Sequence, residues 1–406
     1  MTTRSHIDQL GDKNTFPSMS LLDFDPNLIV GMGYLTVVLS YYLRKKIILS
    51  AYSCSLLAAI LVSHRLIAFI DYRLVQAAFM VVCTLYHWSS MHRQQLPVNG
   101  KYVLITGCDR GIGHELAKCM DREGYRVFAG CLQVSGQGPR ELVGSCSPNL
   151  RTLQLDVQDS AQIAQAAETV RNCLGNDNLW AVINNAGICL IGNIEIMSLE
   201  DIERQMRVNF FGPLNMCKTF LPFVRRSQGR IVNVASNAGL VPVAHMGVYC
   251  ASKAALAILT ESLRYEQKLW GVHVSTIVPS GYRTGILAYD KQSTAERWWK
   301  VASPTVKQDY GRECFTPTFK MPNHESKTTP DLSTIVNTIL RAVSEDKPQA
   351  FYYSGFLART LPFIYTYLPP VVREPLMKVF AGWFVLKPKA LEPKERLNGL
   401  IAKESD

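Results

Sequence analysis

Short apolar runs alternate with stretches of helical period through most of the chain after residue 100. "YVLIT" (102–106) is a continuous apolar run of strand length, "GHELAKCMDREG" spaces its apolar residues every three to four positions and closes at Gly124, and "RVFAGCL" follows as a second run. That order predicts strand, glycine turn, helix, strand. "LRTLQLDV", ending in Asp156, and "LWAVINNAGI" predict a third and a fourth strand, "GRIVNVA" a fifth, the run before "VPSGYRT" a sixth and "QAFYYSG" a seventh. Between the fifth and sixth, "VYCASKAALAILTESLRYEQKLW" has the apolar spacing of a long helix. Strands alternating with helices predict an α/β fold, a doubly wound parallel sheet whose ligand crevice lies at the strand C-termini.

The N-terminal part follows a different pattern. Residues 27–43 and 47–63 carry no charge, Arg44, Lys45 and Lys46 separate them, and a shorter apolar run spans 74–88. Each run is near the lower limit for a membrane span. The first starts too late and has the wrong flanks for a cleaved secretory signal, so an uncleaved anchor is expected, with a buried helical hairpin as the plain alternative. With the basic cluster placed in the cytosol, three spans put the remaining chain in the cytosol and two put it in the lumen. The predicted organisation is a polar N-terminus (1–26), membrane-anchoring helices (27–90), a linker with Pro97 and Gly100 (91–100), a Rossmann domain (101–356) with a substrate lid near 285–330, and a C-terminal amphipathic region and tail (357–406).

Composition sharpens this picture in three ways. Apolar residues make up 48% of the 406 positions, a high share for a soluble enzyme, which suits a chain that turns some apolar surface to lipid. The net charge of +10 fits anionic membranes or cofactor phosphates as well as a solvated basic surface; with no dense basic tract and no finger or helix-turn-helix signal, it does not point to nucleic acid. The eleven cysteines form no C-x-x-C pair, which argues against a metal site or a disulfide frame and for buried thiols in a reducing compartment.

The candidate chemistry lies where strands end. Gly107, Gly111 and Gly113 sit between the first strand and its helix, where backbone amides and a helix N-terminus can receive a pyrophosphate. Tyr249 and Lys253 are four apart on the long helix and therefore share a face. A phenol titrates near 10, and a neighbouring ammonium is expected to pull it down toward a useful range for a general acid/base. Ser236, just beyond the fifth strand, brings a hydroxyl to the same sheet edge. An ordinary amphipathic helix with a surface Tyr and Lys is the bland alternative.

"TGCDRGIG", "NNAG" and "YCASK" with a serine upstream, in this order, resemble the short-chain dehydrogenase/reductase family over about residues 101–285. The resemblance implies a Rossmann sheet of order 3-2-1-4-5-6-7 and an NAD or NADP cofactor. It implies that Ser236 positions the substrate oxygen, that Tyr249 transfers the proton, that Lys253 also binds the nicotinamide ribose and that Asn209 holds a water for the proton relay. Gly107, Arg110, Gly111, Ile112 and Gly113 would form the phosphate turn, Asp156 would lie near the adenine, and Asn184, Asn185, Ala186 and Gly187 would form the cofactor floor. Pro279 and Thr284 would meet the nicotinamide end, although Ser280 stands where the family has glycine, which questions the local turn.

Cofactor choice is not settled by the second strand, since Cys131 and Leu132 occupy the place of the usual ribose-binding acid, while Arg110 could pair with a 2′-phosphate. "FAGCL", "SPNLRTLQLDV", "FLPFVRRSQGRIVNV" and "VKQDYG" resemble the branch that holds hydroxysteroid, retinol and D-3-hydroxybutyrate dehydrogenases. The anchor and the aromatic lid residues Trp298 and Trp299 favour a lipophilic alcohol or ketone, a hydroxysteroid or retinoid; a small hydroxy acid and a noncatalytic cofactor-binding scaffold are the alternatives. The remaining expectations are membrane contact through the C-terminal helices, residence in the endoplasmic reticulum first and the mitochondrion second, and a homodimer built on the helices of residues 198–225 and 247–269.

Overall fold

In the computed structural model the described residues are 94–316, 329–355, 357–381 and 388–391, with a few helical positions among 78–84. The anchoring runs at 27–43 and 47–63, and nearly all of 74–88, lie outside them. Within the third run Ala78, Met80, Val81, Val82 and Thr84 are helical and exposed. Among the described residues no helix is long and apolar enough to cross a membrane.

The seven strands are β1 (Tyr102–Thr106), β2 (Arg126–Cys131), β3 (Leu150–Gln154), β4 (Leu179–Asn184), β5 (Arg230–Val234), β6 (His273–Pro279) and β7 (Phe351–Ser354). They form one sheet of order β3-β2-β1-β4-β5-β6-β7, every neighbouring pair parallel. The helices are α1 (Gly111–Arg122), α2 (Gln137–Ser145), α3 (Ser160–Leu174), α4 (Leu199–Met206), α5 (Gly212–Arg226), α6 (Gly247–Gln267), α7 (Lys291–Val301), α8 (Pro304–Tyr310), α9 (Ser333–Ser344), α10 (Thr360–Tyr367) and α11 (Pro370–Ala381).

The inner strands β1, β2 and β4 are largely apolar and buried because both sheet faces are covered there, while the edge strand β3 leaves Arg151 and Gln154 exposed. Successive side chains point to opposite faces, so Val103 and Ile105 of β1 join a core with α1 and α9 while Leu104 joins another with α3 and α5. The same split divides Ala181 and Ile183 from Val182 in β4, and Val232 and Val234 from Ile231 in β5. β3 ends at Gln154, two residues short of Asp156, which leaves that carboxylate on the loop at the sheet's C-terminal edge. Cys108, Cys131, Cys189, Cys217 and Cys250 are buried free thiols.

Candidate active site

The turn after β1 is built so that backbone meets backbone. Gly107 has φ +74°, and a Cβ there would fall 2.9 Å from the Ala186 Cα. A Cβ on Gly113 would overlap the Gly107 carbonyl oxygen and lie 2.5 Å from Asn185 Nδ2. No larger residue fits either place, so the turn packs backbone to backbone against the loop after β4 and leads directly into the N-terminus of α1, an end suited to a pyrophosphate. Thr106 clamps this turn to the β4 loop, its Oγ1 accepting from the Asn185 and Ala186 amides at 3.0 Å each. Asn185 Nδ2 returns bonds to the Thr106 and Gly107 carbonyls at 2.9 and 3.2 Å. Ile112 packs from α1 against the core below.

Thr284 lies beside this turn, its Cβ 3.4 Å from where a Gly111 Cβ would stand, and Pro279 ends β6 paired with Ser354. Ser280 is not among the non-glycine residues of positive φ, so serine fits here without glycine's freedom. Asp156 accepts from the Gln158 amide at 2.9 Å and stays half-buried at the same edge. Asn184 departs from expectation: its side chain points into the packed helices rather than the crevice, with Nδ2 donating to Asn233 Oδ1 at 2.8 Å. Its neighbour Asn185 faces the turn because successive strand residues face opposite ways.

The residues expected to transfer the proton come together around the α6 N-terminus. Lys253 Nζ donates to the Val234 carbonyl at 2.9 Å and lies 6.0 Å from the centre of the Tyr249 ring. A π-helical turn, Arg207–Phe211, holds Asn209, whose Oδ1 accepts from the Ile188 amide and whose Nδ2 donates to the Ile188 carbonyl, both at 2.9 Å, and to Ser252 Oγ at 3.0 Å. A Cβ on Gly187 would stand 3.3 Å from Asn209 Oδ1 and 3.4 Å from Lys253 Nζ, so these three residues converge. Ser236 is buried at the β5 terminus and accepts from the Ala238 amide at 3.1 Å.

Burial dominates the electrostatics. It pushes the Tyr249 phenol well above its usual range, with the Ser236 hydrogen bond acting in the opposite direction. It also draws the Lys253 ammonium down to about 8. The lowering of Tyr249 expected from a nearby ammonium is therefore outweighed in the free protein: removing the phenol from water disfavours its anion more than its neighbours favour it.

Comparison with known proteins agrees with this geometry. The short chain dehydrogenase family model matches residues 101–295. Mouse estradiol 17-beta-dehydrogenase 2 is 36% identical over 303 residues, 72% of this chain and 78% of that protein. This chain belongs to the short-chain dehydrogenase family. Human retinol dehydrogenase 16 is 35% identical over 74% of this chain and 95% of its own length. The mitochondrial D-beta-hydroxybutyrate dehydrogenase of Bos taurus is 35% identical over 63% of this chain and 77% of its own. The short-chain dehydrogenase is thus an NAD(P)-dependent oxidoreductase acting on CH–OH groups.

Two residues of this dehydrogenase escape sequence reasoning. Asp109, inside the glycine turn, reaches across to the end of β2, where its carboxylate accepts from the Leu132 and Gln133 amides at 2.8 and 3.0 Å. Arg110 instead lies against the Gly285 backbone, beside Thr284. The second is Asp201 of α4, 3% exposed, which accepts from Trp298 Nε1 at 2.8 Å and from Arg297 at 3.2 Å. Trp298 is accordingly a fully buried anchor of α7, its ring against Gly192, while Trp299 packs edge-on against Phe315. Nothing in their local spacing announces either partnership, since 23 and 97 residues separate the groups.

Proposed function

We propose that this enzyme is a membrane-anchored dehydrogenase that moves a hydride between NAD(P) and a hydrophobic alcohol or ketone of the hydroxysteroid or retinoid type. The observation that carries the reading is the apolar wall around the proton-transfer group: Cys189, Ile191, Val243, Met246, Ile286 and Leu287 pack in one cluster with Tyr249. A small carboxylate would need a fixed cation beside the reacting carbon other than the Lys253 ammonium, and no side chain of this cluster carries a charge.

The glycine turn, clamped by Thr106 and Asn185, fits a dinucleotide because it brings the backbone close-packed to the N-terminus of α1, where a helix end favours phosphate. Bound there, the nicotinamide supplies or accepts the hydride. Ser236 orients the substrate oxygen by a hydrogen bond, and Tyr249 exchanges the proton with that oxygen. In the reduction direction the buried neutral phenol is already the competent donor. In oxidation its anion has to be stabilised, which is the work of the Ser236 hydrogen bond and the Lys253 charge. Lys253 would also hold a ribose hydroxyl of the bound cofactor. Asn209 ties the β4 loop to α6 through its bonds to Ile188 and Ser252 and is the residue expected to hold the relay water. Asp109 places a carboxylate where a 2′-phosphate would have to sit, which favours NAD over NADP.

Anchoring by residues 27–90 would keep the crevice near a reservoir of apolar substrate. The exposed rings of Phe363 and Tyr367 on α10, 5.0 Å apart, and exposed Val371 on α11 support contact with a membrane surface. Endoplasmic reticulum is the first location proposed and mitochondrion the second. Exposed Phe211, Ile258 and Tyr265 on the π turn and α6 support a homodimer.

The deciding experiment is cofactor turnover by the full chain in membranes with steroids, retinoids and 3-hydroxybutyrate, beside Tyr249→Phe. Turnover of a lipophilic alcohol that the variant lacks is expected. Turnover of 3-hydroxybutyrate alone would instead establish the small-acid enzyme, and cofactor binding without turnover the noncatalytic scaffold.

A further inference from the structure

The loop between β5 and α6 carries an uncommon residue four positions before Tyr249. His245 has φ +63°, left-handed backbone that a residue with a bulky side chain adopts at a cost in free energy. The conformation is held in place from outside, since the His245 carbonyl accepts from the Gly192 amide at 2.9 Å and so joins this loop to the one after β4. Its flanking residues Val243 and Met246 belong to the apolar cluster around Tyr249. Within these apolar surroundings His245 Nε2 is out of contact with solvent and has no hydrogen-bond partner among the described residues. A buried polar atom without a partner is costly, and here it coincides with backbone strain in the wall of the reaction site. Both costs at one residue are accounted for if a ligand supplies the missing bond.

We propose that His245 is a specificity-determining residue, its Nε2 forming a hydrogen bond with a second oxygen of the substrate, distant from the carbinol that reacts at Tyr249. This rests on the reading of the site as one for lipophilic alcohols and narrows it: the substrate is an apolar skeleton with two oxygen functions, as in a hydroxysteroid, rather than a one-oxygen alcohol such as retinol. Burial lowers the imidazole's pKa, which keeps the ring neutral and lets it accept from a hydroxyl or donate to a keto group. Water is the competing occupant of the same position.

The test measures kcat/KM by the full chain in membranes for estradiol, for its analogue lacking the phenolic hydroxyl, and for retinol. The proteins are the wild type, His245→Gly and His245→Asn. Glycine suits the left-handed backbone, so this variant keeps the fold, and asparagine tolerates that backbone while offering a polar side chain. The expected result is a wild-type preference of about tenfold for the two-oxygen steroid, the value of one hydrogen bond. It disappears in His245→Gly and is partly kept in His245→Asn, the readout being the ratio of kcat/KM for the two-oxygen steroid to that for its deoxy analogue within each protein. Equal preference in the wild type and His245→Gly would assign Nε2 to water and overturn the proposal while leaving the lipophilic-alcohol reading intact. Failure of every lipophilic alcohol in the wild type would remove that reading and this assignment together.

Discussion

Replacing Lys253 by methionine should inactivate the enzyme and at the same time stabilise it near neutral pH. Lys253 is 3% exposed and donates to the Val234 carbonyl, and burial brings its pKa from 10.5 to about 8. Below pH 8 the ammonium is charged in both the folded and the unfolded chain, so the folded state bears the whole cost of burying it, about 3 kcal/mol by linkage. Between pH 8 and 10.5 the unfolded chain binds more protons than the folded one, so this cost fades as pH rises. Methionine keeps the unbranched stem without the charge, but leaves the Val234 carbonyl unpaired at about 1 kcal/mol. The variant should therefore be more stable at pH 7 by about 2 kcal/mol, and through pH 8 to 10.5 the gap should close and reverse to about 1 kcal/mol in favour of the wild type. Urea unfolding of the cofactor-free full chain in detergent, at matched ionic strength and several pH values, measures it directly. Other groups titrating in this window cancel in the difference between the two proteins. A gap that is constant with pH, or a wild type more stable than the variant at pH 7, would refute the burial argument.

Asp201→Ala strands the buried Trp298 N–H, so it should cost about 1–3 kcal/mol, expose α7 to limited proteolysis and raise the substrate KM more than it lowers kcat. Unchanged proteolysis and KM would show that α7 is held by its apolar contacts alone. Asp109→Asn keeps one acceptor for the Leu132 and Gln133 amides but removes the negative charge, so the ratio of kcat/KM for NAD over NADP should fall by about tenfold. Arg110→Ala, measured beside it, should leave that ratio close to the wild-type value, because Arg110 lies against Gly285 instead of the β2 terminus.

What could be read from the chain follows the range of the forces involved. β1 coincides with "YVLIT", and the predicted helix around "YCASK" forms as α6 to within a few residues, because apolar runs and helical period are local properties. The convergence of Gly187, Asn209 and Lys253 was also legible, though only through the order of the motifs. Partners chosen across the fold were hidden: periodicity assigns Asp201 to a helix but says nothing of an indole 97 residues away. The direction of the Tyr249 shift differs from the sequence expectation for a related reason. The four-residue spacing reveals the ammonium, whereas the desolvation that outweighs it depends on everything packed around α6.

Asn184 shows how the sheet sets the position of the helix that carries Tyr249 and Lys253. Its amide donates to Asn233 Oδ1 at 2.8 Å, Asn233 Nδ2 donates to Thr260 Oγ1 at 2.9 Å, and Thr260 Oγ1 donates to the Leu256 carbonyl at 2.6 Å. All three side chains are buried, so a slip of α6 along the sheet would break these bonds where water cannot replace them. Apolar packing alone tolerates such a slip far better, since it lacks direction. Thr260 is two helical turns beyond Lys253, and Asn233 is three residues before Ser236. The network therefore fixes the axial position of Tyr249 and Lys253 relative to Ser236 from the side of the sheet opposite the turn-facing Asn185. Adjacent asparagines in "NNAG" divide the work: Asn185 holds the glycine turn, and Asn184 sets the register of the helix that carries Tyr249.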